Sequence, residues 1–333
     1  MRKWLLAMSL LLASCVQVDD RTTEQVIRPP LQASPISRCM NLGSALEAPY
    51  EGDWGYTVRR QDLALLKSAG FDTIRLPVRW SAFASKSPPY TIEPELIARV
   101  DEIVRWADEL ELNIIVNVHH FSGLYRNPDE QEPRLEAIWD QLATHYAGAP
   151  DTLIFETINE PHSAMTVART DAINVRLLDR IRRDHPDRWV IFGTADWGTL
   201  NGLRESQPEY ARNVMLTYHE YDPFNFTHQG AHWTYLEETG FRWGSRSDRK
   251  KMMSRLDEVQ AIQSETGMPI LVGEFGVFQE VPIKQRARWT KSLREGIEAR
   301  GMSWCYWDFA GELKVYDVDT ETWLLEIKEA LLG

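Results

Sequence analysis

Eight short apolar runs, each trailed by an amphipathic stretch, predict an α/β fold made of a single (β/α)8, or TIM, barrel. Two more observations agree. The length of 333 residues suits one such barrel as a single domain. Polar and aromatic residues also gather just after the apolar runs, at the strand ends where this architecture carries its site.

The first residues lie outside that pattern. Arg2 and Lys3 precede an apolar stretch over residues 5–12, which is too short to span a bilayer. Leu12-Ala13-Ser14-Cys15 resembles a bacterial lipobox, which makes residues 1–14 a lipoprotein signal peptide and Cys15 the lipidated start of the mature chain. The chain is thus expected to be exported and lipid-anchored, at the outer membrane because Val16 rather than Asp follows the cysteine. Membrane contact is expected only through that anchor. Residues 15–35 are polar and carry prolines, and read as a tether. The catalytic domain is expected to span residues 36–333.

Within it, the β-branched content and length of the runs predict strands over 38–42, 73–76, 113–118, 152–158, 189–193, 214–218, 269–273 and 303–307. Helical faces fall between them. Leu63, Leu65 and Leu66 mark the first, and Ile97, Val100, Ile103, Val104 and Ala107 the second. Leu135, Ile138, Trp139 and Leu142 mark the third, and Val175, Leu178 and Ile181 the fourth. The fifth connection holds a single turn near Leu200. Met252, Leu256, Val259 and Ile262, then Trp289, Leu293 and Ile297, then residues 324–331, complete the set.

Two of these runs end in glutamate: Glu160, within Thr157-Ile158-Asn159-Glu160-Pro161, and Glu274, within Gly273-Glu274-Phe275-Gly276. A carboxylate at a buried strand is costly unless it sits at the mouth and does chemistry. Two glutamates facing one cleft supply what glycoside hydrolysis needs, an acid for the leaving oxygen and a carboxylate for the sugar cation. Net charge is −12 with no basic run, which argues against nucleic acid and is compatible with a neutral polymer.

The full set of strand-end motifs resembles glycoside hydrolase family 5, within the clan of retaining barrel glycosidases. The motifs are Asn41-Leu42-Gly43 with Leu46-Glu47-Ala48-Pro49, Ile74-Arg75-Leu76-Pro77, Val118-His119-His120, Asn159-Glu160-Pro161, His219-Glu220-Tyr221-Asp222-Pro223-Phe224, Gly273-Glu274-Phe275-Gly276 and Tyr306-Trp307-Asp308. The Leu-Glu-Ala-Pro opening and Phe226-Thr227-His228-Gln229-Gly230-Ala231 are similar to the bacterial endoglucanase branch, some members of which also cut mannans.

The resemblance implies a retaining endo-β-1,4-glucanase that needs no cofactor or metal and acts on cellulose-type, mixed-linkage or glucomannan chains, with mannan the weaker expectation. It implies Glu160 as general acid/base, its pKa raised by burial and by the second carboxylate, and Glu274 as an ionised nucleophile partnered by Arg75 and Tyr221. Asn159 would meet the sugar 2-hydroxyl. His119, His120, His219 and Glu47 would hold hydroxyls or orient the glutamates, and Trp307 would floor the central sugar site. Trp54, Trp80, Trp197, Trp233 and Trp243 are candidates for outer sugar platforms, because sugar C–H faces stack on aromatic rings. Glu156, four residues before Glu160, is expected to support the site. Ser44 and Asp308 depart from the branch, which often has Asn and Glu there.

Two other readings compete. His119, His120, His219, His228 and His232 suggest a metal-dependent barrel hydrolase, although adjacent strand residues such as His119 and His120 point to opposite faces. A non-catalytic polysaccharide-binding lipoprotein is the other, with both glutamates arguing against it. Finally, Cys39 and Cys305 sit on the first and last strands, which are neighbours in a closed barrel. A disulfide there requires matching register, and two free buried thiols are expected.

Overall fold

The computed structural model describes residues 29–333, so the signal-peptide and Cys15 expectations lie outside the described residues. Eight parallel strands close into a barrel in sequence order. The elements run β1 (Arg38–Asn41), α1 (Arg60–Ala69), β2 (Thr73–Leu76), α2 (Pro94–Glu109), β3 (Asn113–Asn117), α3 (Ser122–Arg126), α4 (Pro128–His145), β4 (Leu153–Glu156), α5 (Val167–Asp184), β5 (Val190–Gly193), α6 (Leu200–Glu205), β6 (Val214–His219), α7 (Phe224–Thr227), α8 (Arg246–Thr266), β7 (Ile270–Glu274), α9 (Ile283–Glu298), β8 (Ser303–Tyr306), β9 (Tyr316–Asp317), β10 (Thr322–Trp323) and α10 (Leu325–Leu332). All eight predicted barrel strands are present. The short helices α3 and α7 and the small β9–β10 hairpin carry no periodic signal in the sequence.

Side chains alternate across each strand, so every second residue points inward. One inward layer is apolar: Cys39, Ile115, Ile154, Ile191, Met215, Leu271 and Cys305 form a cluster of their own. Two residues further along, with Arg75 of β2 level with Asn41, the inward positions are Asn41, Arg75, Asn117, Glu156, Gly193, Thr217 and Gly273, five of them polar. That switch from apolar floor to polar layer marks the end of the barrel where chemistry can occur. The outward residues pack with the helices in a second, much larger core that includes Trp139 and Trp289.

The expected tether overlaps the described residues at 29–35, and the chain is tied down there. Gln32 donates from its backbone N–H to the Gly267 carbonyl and from its side chain to the Ala211 carbonyl, and its side-chain oxygen accepts from the Asn213 N–H. This stretch lies against the barrel instead of hanging free.

The expectation of two free thiols is overturned. Cys39 is bonded to Cys305. The reason is register, which the sequence does not display: β1 and β8 pair with Cys39 directly opposite Cys305, both facing inward, with their Cα atoms 4.2 Å apart. The bond staples the seam where the barrel closes, across a sequence separation of 266 residues. Crosslinking so long a loop removes much of the unfolded chain's freedom. Cys305→Ser should therefore lower the unfolding free energy by about 2–5 kcal/mol, read from denaturant midpoints. A loss below about 1 kcal/mol would show that the packed seam holds without the bond.

Candidate active site

The polar layer is organised around Arg75, which is fully buried. Its five N–H groups all find acceptors. Nε and Nη2 grip the two oxygens of Glu156, each at 2.6 Å. Nη1 donates to Asn41 at 2.8 Å and to Glu274 at 2.9 Å, and Nη2 also reaches Asn159 at 2.7 Å. Glu156 is thus the bidentate partner of the arginine. Asn117, which no sequence signal singled out, donates to Glu156 at 3.1 Å and bonds His119 Nδ1 at 3.2 Å.

Above this layer stand the two glutamates. Glu274 ends β7. It is reached by Arg75 and by the Tyr221 hydroxyl at 3.1 Å, the two partners expected of it. Gly273 precedes it because a Cβ there would lie 2.3 Å from Thr217 Oγ1. Glu160 follows β4 in a left-handed conformation, φ 46°. Its side chain is 28% exposed where that of Glu274 is 7% exposed. His219 lies between them, with Nδ1 at 2.6 Å from Glu160 Oε1 and 3.5 Å from Glu274 Oε2. One oxygen of each glutamate and a ring nitrogen of His219 fall within 4.8 Å of one another.

The electrostatics of this trio differ from the sequence expectation. Burial is the largest influence on Glu160 and raises it, but the hydrogen bond and charge of His219, together with His120 and Arg75, outweigh it and hold Glu160 below the ordinary carboxylate value. Burial lowers His219, yet Glu274 and Glu160 together push it above the usual imidazole value. Burial lifts Glu274 above its ordinary value against the pull of His219 and Arg75. These shifts favour the proton on the imidazole over Glu160, and His219 Nδ1 lies 2.6 Å from the Glu160 oxygen.

The remaining candidates divide. Trp307 stacks on His119 with ring centroids 5.8 Å apart and planes 12° from parallel. A Cβ at Gly43 would come within 2.9 Å of the Trp307 ring, so the glycine lets the two loops approach. His119 is buried and held well below its usual pKa by desolvation, and His120 is lowered to about 4 for the same reason. These two histidines do not point to opposite faces as strand neighbours would: β3 ends at Asn117, His120 has φ 49°, and the rings meet edge to face at 4.5 Å. Trp54, Trp197 and Trp233 are each about half exposed at the barrel mouth.

Trp80 and Trp243 are not sugar platforms. Trp80 is fully buried, with its indole N–H on the Asn117 carbonyl, and Trp243 is 4% exposed. His162 and Tyr125 join the site without any expectation from the sequence. His162 Nδ1 donates to the Glu160 carbonyl at 2.7 Å and its ring stacks on Trp197, while the Tyr125 hydroxyl donates to the Asn159 carbonyl. The position of His162 directly after Pro161 is the one clue that the sequence offers.

Glu47 is 1% exposed, and its oxygens accept from the Ser44 and Ala45 N–H groups, so it holds the β1 loop. Burial raises it from 4.5 to about 8, and raises Asp308 nearby from 3.8 to about 7. Both acids bind protons more tightly folded than unfolded. The stabilisation is complete below the unfolded values near 4 and disappears as pH rises through the folded ones. The contribution of these two acids to stability should thus fall between about pH 4 and 8. Glu47→Gln should flatten the part of that slope due to Glu47, measured by urea unfolding across the range. An unchanged slope would mean that Glu47 is ionised in the fold.

The family model for cellulase (glycosyl hydrolase family 5) matches residues 40–312. The chain belongs to glycosyl hydrolase family 5. This family-5 chain is 31% identical over 299 residues to Endoglucanase H of Acetivibrio thermocellus, covering 88% of the chain and 32% of that protein. It is 36% identical to Thermotoga maritima Cel5A solved in complex with cellobiose, at a TM-score of 0.87, covering 89% of the chain and 97% of Cel5A. The cellulose synthase subunit Z of Clostridioides difficile superposes at a TM-score of 0.87 with 29% identity, covering 90% of the chain and all of that structure. The chain spans about a third of the length of the first curated relatives it matches. Its closed eight-stranded barrel is the architecture on which these solved structures superpose.

Proposed function

We propose that the chain is a retaining endo-β-1,4-glucanase, with Glu160 as acid/base and Glu274 as nucleophile. The observation that carries this is that one carboxyl oxygen of each lies within 4.8 Å of one of the other. Retaining pairs stand about 5–5.5 Å apart, whereas inverting pairs need about 6.5–9.5 Å to admit a water. His219 would pass its proton to Glu160 as the leaving oxygen arrives. Glu274, oriented by Arg75 and Tyr221, would attack the anomeric carbon. The resulting glycosyl–enzyme ester would then be hydrolysed by a water activated by Glu160. Asn159, with its side-chain oxygen fixed by Arg75, keeps its amide N–H groups for the 2-hydroxyl.

A β-linked glucan is the primary substrate class. A mannan is the second reading, favoured by the likeness to Thermotoga maritima Cel5A, which has also been solved in complex with mannotriose. Initial rates on carboxymethylcellulose, mixed-linkage glucan, glucomannan, mannan and xylan separate the two. Turnover of the β-glucans is expected. Cleavage of mannan or xylan with none of any β-glucan would overturn the glucanase reading. Export with a lipid anchor at Cys15 is supported by the leader sequence and by the Cys39–Cys305 bond, since disulfides persist in oxidising compartments. Recovery of the native protein as an unacylated cytosolic pool would refute it.

A further inference from the structure

Three consecutive residues after β5, Asp196, Trp197 and Gly198, hold left-handed backbone with φ of 56°, 56° and 67°. For the first two this is uncommon and costs energy, so the surroundings must impose it. They do. The Trp197 N–H donates to the Pro161 carbonyl at 3.4 Å, the His219 N–H to the Gly198 carbonyl at 2.7 Å, and the Thr199 hydroxyl to Asp196 at 2.7 Å. The product of this bracing is an indole 51% exposed, stacked face to face on His162 at 4.6 Å. His162 is itself bonded to the Glu160 carbonyl. The platform therefore lies on the Glu160 side of the cleft, where the leaving fragment must go.

Behind it opens a groove of about 380 Å³ between the loop after Glu160 and α6. That volume falls in the range of small-molecule sites. Ser163 brings a hydroxyl to its lining and Asn201 an amide whose oxygen already accepts from Arg204, Asp196 and Glu205 bring acceptors, and Val167 adds apolar surface. Among the described residues no lysine or arginine lines it, Arg204 at its edge is paired with Glu258, and the lining carboxylates Asp196 and Glu205 disfavour an anion. Hydroxyl-dense, uncharged ligands with apolar C–H faces match such a wall.

We propose that this groove receives a single-sugar branch carried by the leaving-group side of a β-1,4-linked chain. The backbone rests on the Trp197–His162 platform, and the branch turns down between Ser163 and Asn201. The inference rests on the glycanase reading above.

The test compares a linear β-1,4-glucan oligosaccharide with the same backbone bearing α-1,6-linked xylose. Products are mapped by mass spectrometry and kcat/KM is measured for each. Wild type should cut the branched chain so that a decorated residue lies in the leaving fragment close to its new non-reducing end. Asn201 and Glu205 are exposed. Asn201→Trp and, independently, Glu205→Trp should lower the branched-to-linear ratio of kcat/KM by about tenfold or more, the size expected for filling a pocket. Decorated residues found only in the other fragment would overturn the proposal. So would an unchanged ratio in both folded variants. Failure to cut any linear β-1,4-linked chain would instead remove the glycanase reading, and this inference with it.

Discussion

Glu274→Ala should lose activity by more than about 10⁴-fold in kcat, the scale seen when a nucleophile is removed from a site that acts as a unit, while its unfolding transition stays close to wild type. The fold survives because Arg75 keeps its bidentate grip on Glu156 when Glu274 is gone, so no buried charge is stranded. A small anion such as azide could enter the space of the lost carboxylate and attack from the same face, restoring turnover and giving an α-glycosyl product. Glu160→Ala should behave differently. General acid catalysis contributes about 10²–10⁴-fold, so that much should be lost on a natural glucan and far less on an aryl glycoside whose leaving group needs no proton. Proton NMR of the first sugar released by wild type should show the β anomer. An α anomer, or a Glu274→Ala enzyme of undiminished kcat, would sink the assignment.

The barrel could be read from the chain because its strands are buried on both faces, so β-branched runs stand out without alternation, and because the helices between them carry apolar stripes. The same logic slips where a stripe is ambiguous. On α5 the expected face was Val175, Leu178 and Ile181, but Ile173, Leu177 and Ile181 are buried and Val175 is 40% exposed. Asn174 shares the inner face because its amide bridges Thr157 and the Gly193 carbonyl, a polar role that no hydrophobic pattern reports.

At the site, motif spacing located Glu160, Glu274, Arg75, His219 and Tyr221. Other features were beyond its reach. A tryptophan near a strand end can turn into the cleft or into the core, and Trp80 takes the core because the Asn117 carbonyl is there to receive its N–H. Whether two cysteines on neighbouring strands meet depends on register. And which group carries the site's proton depends on a nitrogen from β6 approaching an oxygen after β4, 59 residues apart in the chain.

Arg75→Met should cost about 3–5 kcal/mol of stability, the penalty for breaking a buried ion pair and leaving its partners uncompensated. Two carboxylates, Glu156 and Glu274, would lose the guanidinium that holds them inside the barrel. The double variant Arg75→Met/Glu156→Gln should recover part of that loss, because one of the stranded charges is removed with its partner. Arg75→Lys separates the structural role from the chemical one. An ammonium keeps the charge but offers three donors where the guanidinium uses five, and it cannot hold Glu156 bidentately while reaching Asn41, Asn159 and Glu274. Stability should fall less than in the methionine variant, yet kcat should drop about 10²-fold, since a small displacement of a catalytic group has that effect. The pH profile supplies the decisive sign. As the proposed nucleophile Glu274 would have to be ionised to attack, and burial already lifts it against the pull of His219 and Arg75. Weakening that pull raises it further, so the acid limb of kcat/KM should move to higher pH in Arg75→Lys. A lysine variant with wild-type kcat and an unmoved acid limb would reduce Arg75 to a strut of the barrel with no hand in orienting or ionising Glu274.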